Sequence, residues 1–422
     1  MKRVAVLLLV VLAAGAGGPG REHAAFAKPA PAYAVLALVD DSTQTKLAWL
    51  DPRTLKRIQT DAAPIGEGRA PVLSPAGKKV AVGGPSARGL RIVDVNRMKI
   101  VARIARREGT WSVTPLAWTQ ARCLYVLESE ERSHTDNLLV VDPVDRRILT
   151  RRPLEAWTAF ARAGRELVFV TQPAEGIGSA QLTVAAPDGT LRTVVLERIP
   201  AGGEVGEAGA DGEFDYRIAQ PGVAVDPASR IAYVVGAAPV VASVDLASLA
   251  VTYRELSEQT SLLARLASWL QPTAQAKSVT GWQRQAVWLR DGLFAVSGLD
   301  YDRLRTIPAG LRLIDTRTWA VRMLEPGASS LVTAAPYVLA AGAARDAVTD
   351  TETGIGIRAY TIDGLPRWQA LGDEPVWWVQ AAGGFAYAAG PVAYPPIVRV
   401  IDLATGAIRT VRRQLPVFVT SP

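Results

Sequence analysis

The chain has 422 residues, 49% of them hydrophobic and 21% charged, with a formal net charge of +7. That is ample for a large core but too long for one ordinary compact domain unless the architecture repeats. The single cysteine, Cys123, excludes an intrachain disulfide.

The elements begin with a leader. Lys2 and Arg3 precede the apolar run 4–17, and "AFA" at 25–27 fits a small-residue cleavage site. The run is short for a membrane span, so residues 1–27 read as a secretory signal peptide and 28–422 as the mature domain. Cleavage removes Lys2, Arg3, Arg21 and Glu22 and lowers the formal charge to about +5. The expected location is secreted, extracellular or in the cell envelope, without stable membrane insertion after cleavage. A mixed surface of this kind gives no reason to expect nucleic acid.

After the leader, one pattern recurs: an apolar run, an aspartate, a short polar turn, a second apolar run. It appears at 47–58, 90–104, 138–152, 182–196, 241–256, 311–324, 357–371 and 398–411. The aspartate falls at Asp51, Asp94, Asp142, Asp245, Asp315 and Asp402, with Ala186 and Thr361 in the other two units. The spacings Asp51 to Asp94, Asp94 to Asp142 and Thr361 to Asp402 are 43, 48 and 41 residues, the period of four-stranded propeller blades. A second hairpin precedes each unit after the first, at 71–84, 115–128, 159–171, 222–236, 286–298, 330–342 and 376–390. Val, Leu and Tyr fill these runs and Pro, Gly, Asp or Lys break them, as in short strands.

The first unit is incomplete. Residues 32–40 and 47–60 supply three strands, while 415–422 is a lone strand at the other end. Placing the lone strand in the first blade removes two open edges. The expected fold is therefore an all-β propeller of eight four-stranded blades, with seven as the alternative, closed by the C-terminal strand. The stretches 123–149 and 230–256 resemble repeats of the YVTN-type β-propeller family of exported prokaryotic proteins. Tyr125-Val126 and Tyr233-Val234 stand for its Tyr-Val, and Val141-Asp142 and Val244-Asp245 for its Val-Asp. The resemblance implies the architecture and leaves function open.

In such a fold the turns A–B and C–D share one face, with strands lettered from the centre outward. The repeated aspartates open C–D turns, where a carboxylate accepts turn amides. Connections on the opposite face are long, at 128–137, 171–181, 197–222, 297–310 and 342–356, and long connections carry function more often than tight turns. A ligand or partner is therefore expected there, near the channel, with Asp215, Tyr216, Tyr301 and Arg303 as contacts. Residues 257–278 break the strand pattern. Leu262, Leu266 and Leu270 recur every four residues beside Leu263 and Trp269, and Pro272 ends the run. This predicts an inserted amphipathic helix, packed on the ring or docking a partner through Trp269.

Chemistry is limited mainly by exclusion. With one histidine after the leader, His134, and one cysteine, a His/Cys zinc site or a multi-histidine centre is impossible within the chain. The acidic stretches 203–215 and 350–354 lack EF-hand spacing, so no metal is expected. Residues 400–411 carry Asp402, Thr405 and Gly406 of a quinone-dehydrogenase tryptophan-docking repeat without its Trp, so no cofactor is expected either. Trp118, Trp288 and Trp378 read as inter-blade core. The leading expectation is a non-catalytic propeller binding a protein or small ligand. The alternative is a hydrolase or lyase working through Glu130, Glu131, His134, Asp300 and Asp302.

Overall fold

The computed structural model describes residues 34–40, 44–59, 62–66, 68–85, 89–105, 107–130, 136–208, 214–256, 279–290, 292–302, 305–346, 348–390 and 397–419. The expected leader, 1–27, and the expected helix, 257–278, lie outside them, as do Glu131, His134, Trp269 and Arg303. Among the described residues there is no helix.

The strands fall into four-stranded antiparallel sets in chain order. The first holds β1 (Val35–Asp40), β2 (Thr45–Leu50) and β3 (Ala63–Gly66); the second β4 (Arg69–Leu73), β5 (Lys79–Pro85), β6 (Leu90–Asp94) and β7 (Lys99–Ile104). The third holds β8 (Thr110–Gln120), β9 (Cys123–Glu130), β10 (Asp136–Asp142) and β11 (Arg147–Leu154). The fourth holds β12 (Trp157–Ala163), β13 (Glu166–Thr171), β14 (Gly176–Ala185) and β15 (Leu191–Ala208), followed by an extra strand β16 (Phe214–Gln220). The fifth is β17 (Gly222–Asp226), β18 (Ile231–Val235), β19 (Val240–Asp245) and β20 (Val251–Glu255). The sixth is β21 (Val279–Arg290), β22 (Leu293–Asp302), β24 (Leu311–Asp315) and β25 (Val321–Glu325), with β23 (Arg305–Pro308) inserted. The seventh is β26 (Ser330–Ala334), β27 (Tyr337–Asp346), β28 (Thr351–Thr361) and β29 (Pro366–Ala370). The eighth is β30 (Trp378–Ala382), β31 (Phe385–Ala389), β32 (Ile397–Asp402) and β33 (Ile408–Arg412). The last strand, β34 (Val417–Phe418), pairs with β1. The outer strand of the first set starts at Ala63, beyond the 47–60 window read from sequence, because the turn after Asp51 continues through Leu55.

Sheets that follow one another in the chain pack face to face, which explains their apolar runs. Leu167, Val168, Phe169 and Val170 in β13 are all fully buried, since both faces of a middle strand meet a neighbouring sheet. Outermost strands such as β11 and β33 are largely exposed. Apolar clusters lie between consecutive sheets. One joins Leu36, Leu47 and Ala63 to Val80 and Val93 of the second sheet. Another joins Val35, Leu50 and Phe418 to Tyr387, Val398 and Val400 of the eighth. Tyrosines of the middle strands, those of the two Tyr-Val pairs among them, serve these seams. The Tyr125 hydroxyl donates to the carbonyls of Arg165 and Ala185 in the next sheet (3.0 and 3.1 Å). That of Tyr387 donates to Pro52 O at 3.0 Å, in the first. Tyr233 stacks on Trp288 and Phe294 at 5.6 and 5.3 Å.

The repeated aspartates are turn residues. Asp245 Oδ1 accepts the Ala247 and Ser248 amides at 3.0 and 2.7 Å, and Asp315 and Asp402 make the same pair of bonds. Four residues after each of the six aspartates the backbone turns left-handed, at Leu55, Met98, Arg146, Leu249, Trp319 and Gly406. In the two units without the aspartate, Asp188 and Thr361 supply the turn acceptor instead.

Candidate functional site

The connections expected as long loops are largely strand. β14 and β15 continue past their blade, pairing Gly176 with Gly203 and Ser179 with Pro200. β16 pairs with β15 and then, in parallel, with β21, placing Ile218 beside Gly281 and Ala219 beside Trp282. β22 extends to Asp302 and pairs with β23, which touches β27 through Arg305 and Asp346. β27 and β28 extend the ladder from Gly342 to Thr351. One accessory ladder thus ties the fourth, sixth and seventh sheets across the loop face and passes the fifth. The parallel step needs glycine: Gly281 has φ +126°, and a Cβ there would stand 1.9 Å from Ile218 O. The alternation in "FDYRIAQ" is the only sequence signal of this ladder. Only one of its two partners, β15, is a neighbour in the chain; the other, β21, lies beyond the whole fifth sheet, so the stretch reads as loop.

This ladder gathers several of the expected contacts. Asp215 and Tyr216 lie in β16; Asp300, Tyr301 and Asp302 lie in β22, separated from them by β21. Tyr216, Val205 and Ile307 are exposed on it. Tyr301 is half-buried, its hydroxyl 3.4 Å from Gln283 Oε1, and burial pushes that hydroxyl up from the ordinary tyrosine value. Burial alone would raise the Asp346 carboxyl. The amides of Thr349 and Val348 and the Arg305 guanidinium outweigh it and hold the group below the usual range.

The acid residues are not assembled as a catalytic pair. Asp300 Oδ1 takes a 2.6 Å bond from Arg284, whose side chain is only 5% exposed. Arg284 also donates to the carbonyls of Gln283 and Leu299 and lies over the Trp282 ring. Asp300 therefore anchors the ladder to the innermost strand. Asp302 is exposed and faces Arg305 across β22 and β23. Glu130 ends β9, in the third sheet, away from that pair in the strand order.

Sequence reasoning missed the tryptophans at this end of the innermost strands. Trp111 in β8 is 56% exposed and Trp378 at the start of β30 is 53% exposed. Trp378 is thus not inter-blade core, because it precedes the sandwiched part of its strand; Trp118 and Trp288 do pack between sheets. Trp157 and Trp377 are held on carboxylates, Asp136 Oδ2 at 3.2 Å and Glu352 Oε2 at 3.3 Å. A cavity of about 610 Å³ opens on the same face beside the first sheet, lined by Asp40, Thr45, Arg69 and Gln414 among others. Among the described residues no His/Cys/Asp/Glu cluster has the makings of a metal site, and no helix is long and apolar enough to cross a membrane.

No family model matches the chain, and no curated protein matches it in sequence. Solved structures do. The dihydro-heme d1 dehydrogenase NirN, in complex with DHE, is 14% identical with a TM-score of 0.56, covering 90% of this chain and 74% of its own. BamB from Moraxella catarrhalis is 12% identical with a TM-score of 0.44, covering 89% and 93%. The β-propeller domain of Cps50 (Swd1) from Myceliophteria thermophila is 12% identical with a TM-score of 0.39, covering 82% and 87%. At 14% identity the likeness to NirN concerns the fold alone, and that fold is the β-propeller.

Proposed function

We propose that the chain is an exported, non-catalytic propeller of eight blades, closed by β34, that binds a protein or small ligand across its ladder face. The YVTN-type resemblance supports export and the repeat. The pairing of β34 with β1 and the cluster between the eighth and first sheets support closure.

The observation that carries the binding reading is the set of exposed apolar side chains on one face, Tyr216, Val205 and Ile307 on the ladder with Trp111 and Trp378 at the strand ends. Such aromatic anchors are what a binding surface uses. Asp215 and Tyr301 belong to the same proposed surface by their place on β16 and β22, while the expected contacts Arg303 and Trp269 lie outside the described residues. The hydrolase or lyase reading loses Asp300 to its bond with Arg284.

The test is a pull-down from a cell-envelope extract with wild type and with Tyr216→Ser/Trp378→Ser. The expected result is a specific partner lost by the variant, with the melting curve unchanged. Identical captured sets for the two proteins would overturn the reading.

A further inference from the structure

The outermost strands of the second to eighth sheets are β7, β11, β15, β20, β25, β29 and β33. They hold 12 basic and 5 acidic residues, against 47 and 40 in the whole chain. The pairing sharpens the bias. Glu204, Glu255 and Glu325 are each spent on an arginine. In contrast, Arg103, Arg152, Arg254, Arg367, Arg409 and Arg412 are exposed and have no carboxylate partner among the described residues. Guarding a strand edge against pairing needs charge of either sign. Here the unpaired charge is nearly all positive, so edge protection does not account for it.

We infer that the side wall of the propeller binds a flexible acidic polysaccharide, through guanidinium–carboxylate contacts made by these outer strands. Guanidinium groups match carboxylates in bidentate geometry. The basic strands follow one another along a convex wall, so a planar bilayer meets only a few at once, while a flexible chain follows them. A stiff duplex with a persistence length of about 50 nm does not bend to such a wall without cost. Single-stranded nucleic acid needs exposed aromatic platforms. The aromatics of these strands are engaged instead: Tyr253 lies under Arg198, and Trp368 Nε1 donates to Leu403 O. This wall is distinct from the ladder face, and the inference stands whether or not that face binds a partner.

The test is binding of polygalacturonate to the full chain, read by calorimetry from about 50 to 200 mM salt. The comparison variant is Arg103→Ser/Arg152→Ser/Arg409→Ser, checked for an unchanged melting curve. The expected result is salt-sensitive binding that weakens at least about tenfold in the variant, with a salt slope shallower by roughly two to three. No binding at the lowest salt, or binding that survives in the variant, overturns the inference. So does tighter binding to a single-stranded oligonucleotide or to anionic vesicles. If the variant melts early, Arg152→Ser alone and Arg409→Ser alone are each read for a smaller loss; no loss in either overturns it equally.

Discussion

The proposed closure of the ring rests heavily on one side chain, and Phe418→Ala removes it. β34 contributes only two residues, pairing Phe418 with Ala37 and Val417 with Leu38. Beyond that ladder, Val419 N donates to Leu36 O at 2.9 Å and Phe418 N to Gln380 Oε1 at 3.2 Å. The ring of Phe418 is 3% exposed and stacks on Tyr387 with centroids 4.1 Å apart. Around it lie Val35, Ala37, Leu50, Val398 and Val400, from both the first and the eighth sheets. Removing the phenyl exposes or leaves empty roughly 150 Å² of apolar surface, about 4 kcal/mol at ~25 cal/mol per Å². Measured Phe→Ala costs in cores run about 3–5 kcal/mol, a large part of a typical total stability of about 5–15 kcal/mol. Urea titration followed by tryptophan fluorescence measures it: the midpoint should fall by that free energy divided by the slope, with the slope itself unchanged. A loss below about 1 kcal/mol would refute the reasoning, because the first and eighth sheets would then be held together without this strand.

Three further outcomes are expected. Glu325→Ala should cost about 2–3 kcal/mol, discounted from the usual buried-pair figure because Arg358 is one-third exposed. It strips Arg358 and Tyr360 of a carboxylate that accepts from them at 2.6 and 3.1 Å, and the Glu325→Leu/Arg358→Leu double variant should cost less than Glu325→Ala alone. Gly281→Ala should cost about 1–3 kcal/mol, because φ +126° and the Ile218 carbonyl both oppose a Cβ; hydrogen exchange should show 214–220 losing protection first. Stability should fall as pH drops below about 5 and go on falling through the folded-state values of the turn aspartates. At Asp51 and Asp142 burial alone would raise the carboxyl, but turn amides and a nearby arginine outweigh it; at Asp245 the Ser248 amide and hydroxyl lead the lowering. Their folded values lie below the unfolded ones, so their contribution is present above the unfolded value and is lost on acidification. Asp142→Asn should flatten melting curves measured against pH.

The turn aspartates were legible from sequence because their bonds are local. Asp245 reaches only Ala247 and Ser248, so recurrence alone identifies the role. The tyrosines of the Tyr-Val pairs were legible as strand residues but not as seam donors, since Tyr125 reaches Ala185. Among the candidate contacts, Tyr216 and Tyr301 do come onto one ladder. The acids do not form a pair, because Asp300 meets Arg284 through strand pairing that no spacing rule contains. Trp378 looked like core because its neighbours are apolar, yet it precedes the part of β30 that the sheets enclose.

By itself the sequence determined the period, the strand and turn chemistry and the absence of a histidine or cysteine centre, all set by residues close together in the chain. Only the tertiary structure decided the accessory ladder, the commitment of Asp300 and the gathering of arginines on the outer wall. The ladder and the arginine wall depend on strands distant in sequence coming side by side and on which strand of each sheet is left facing water, and the Asp300 bond depends on the register of β22 on β21.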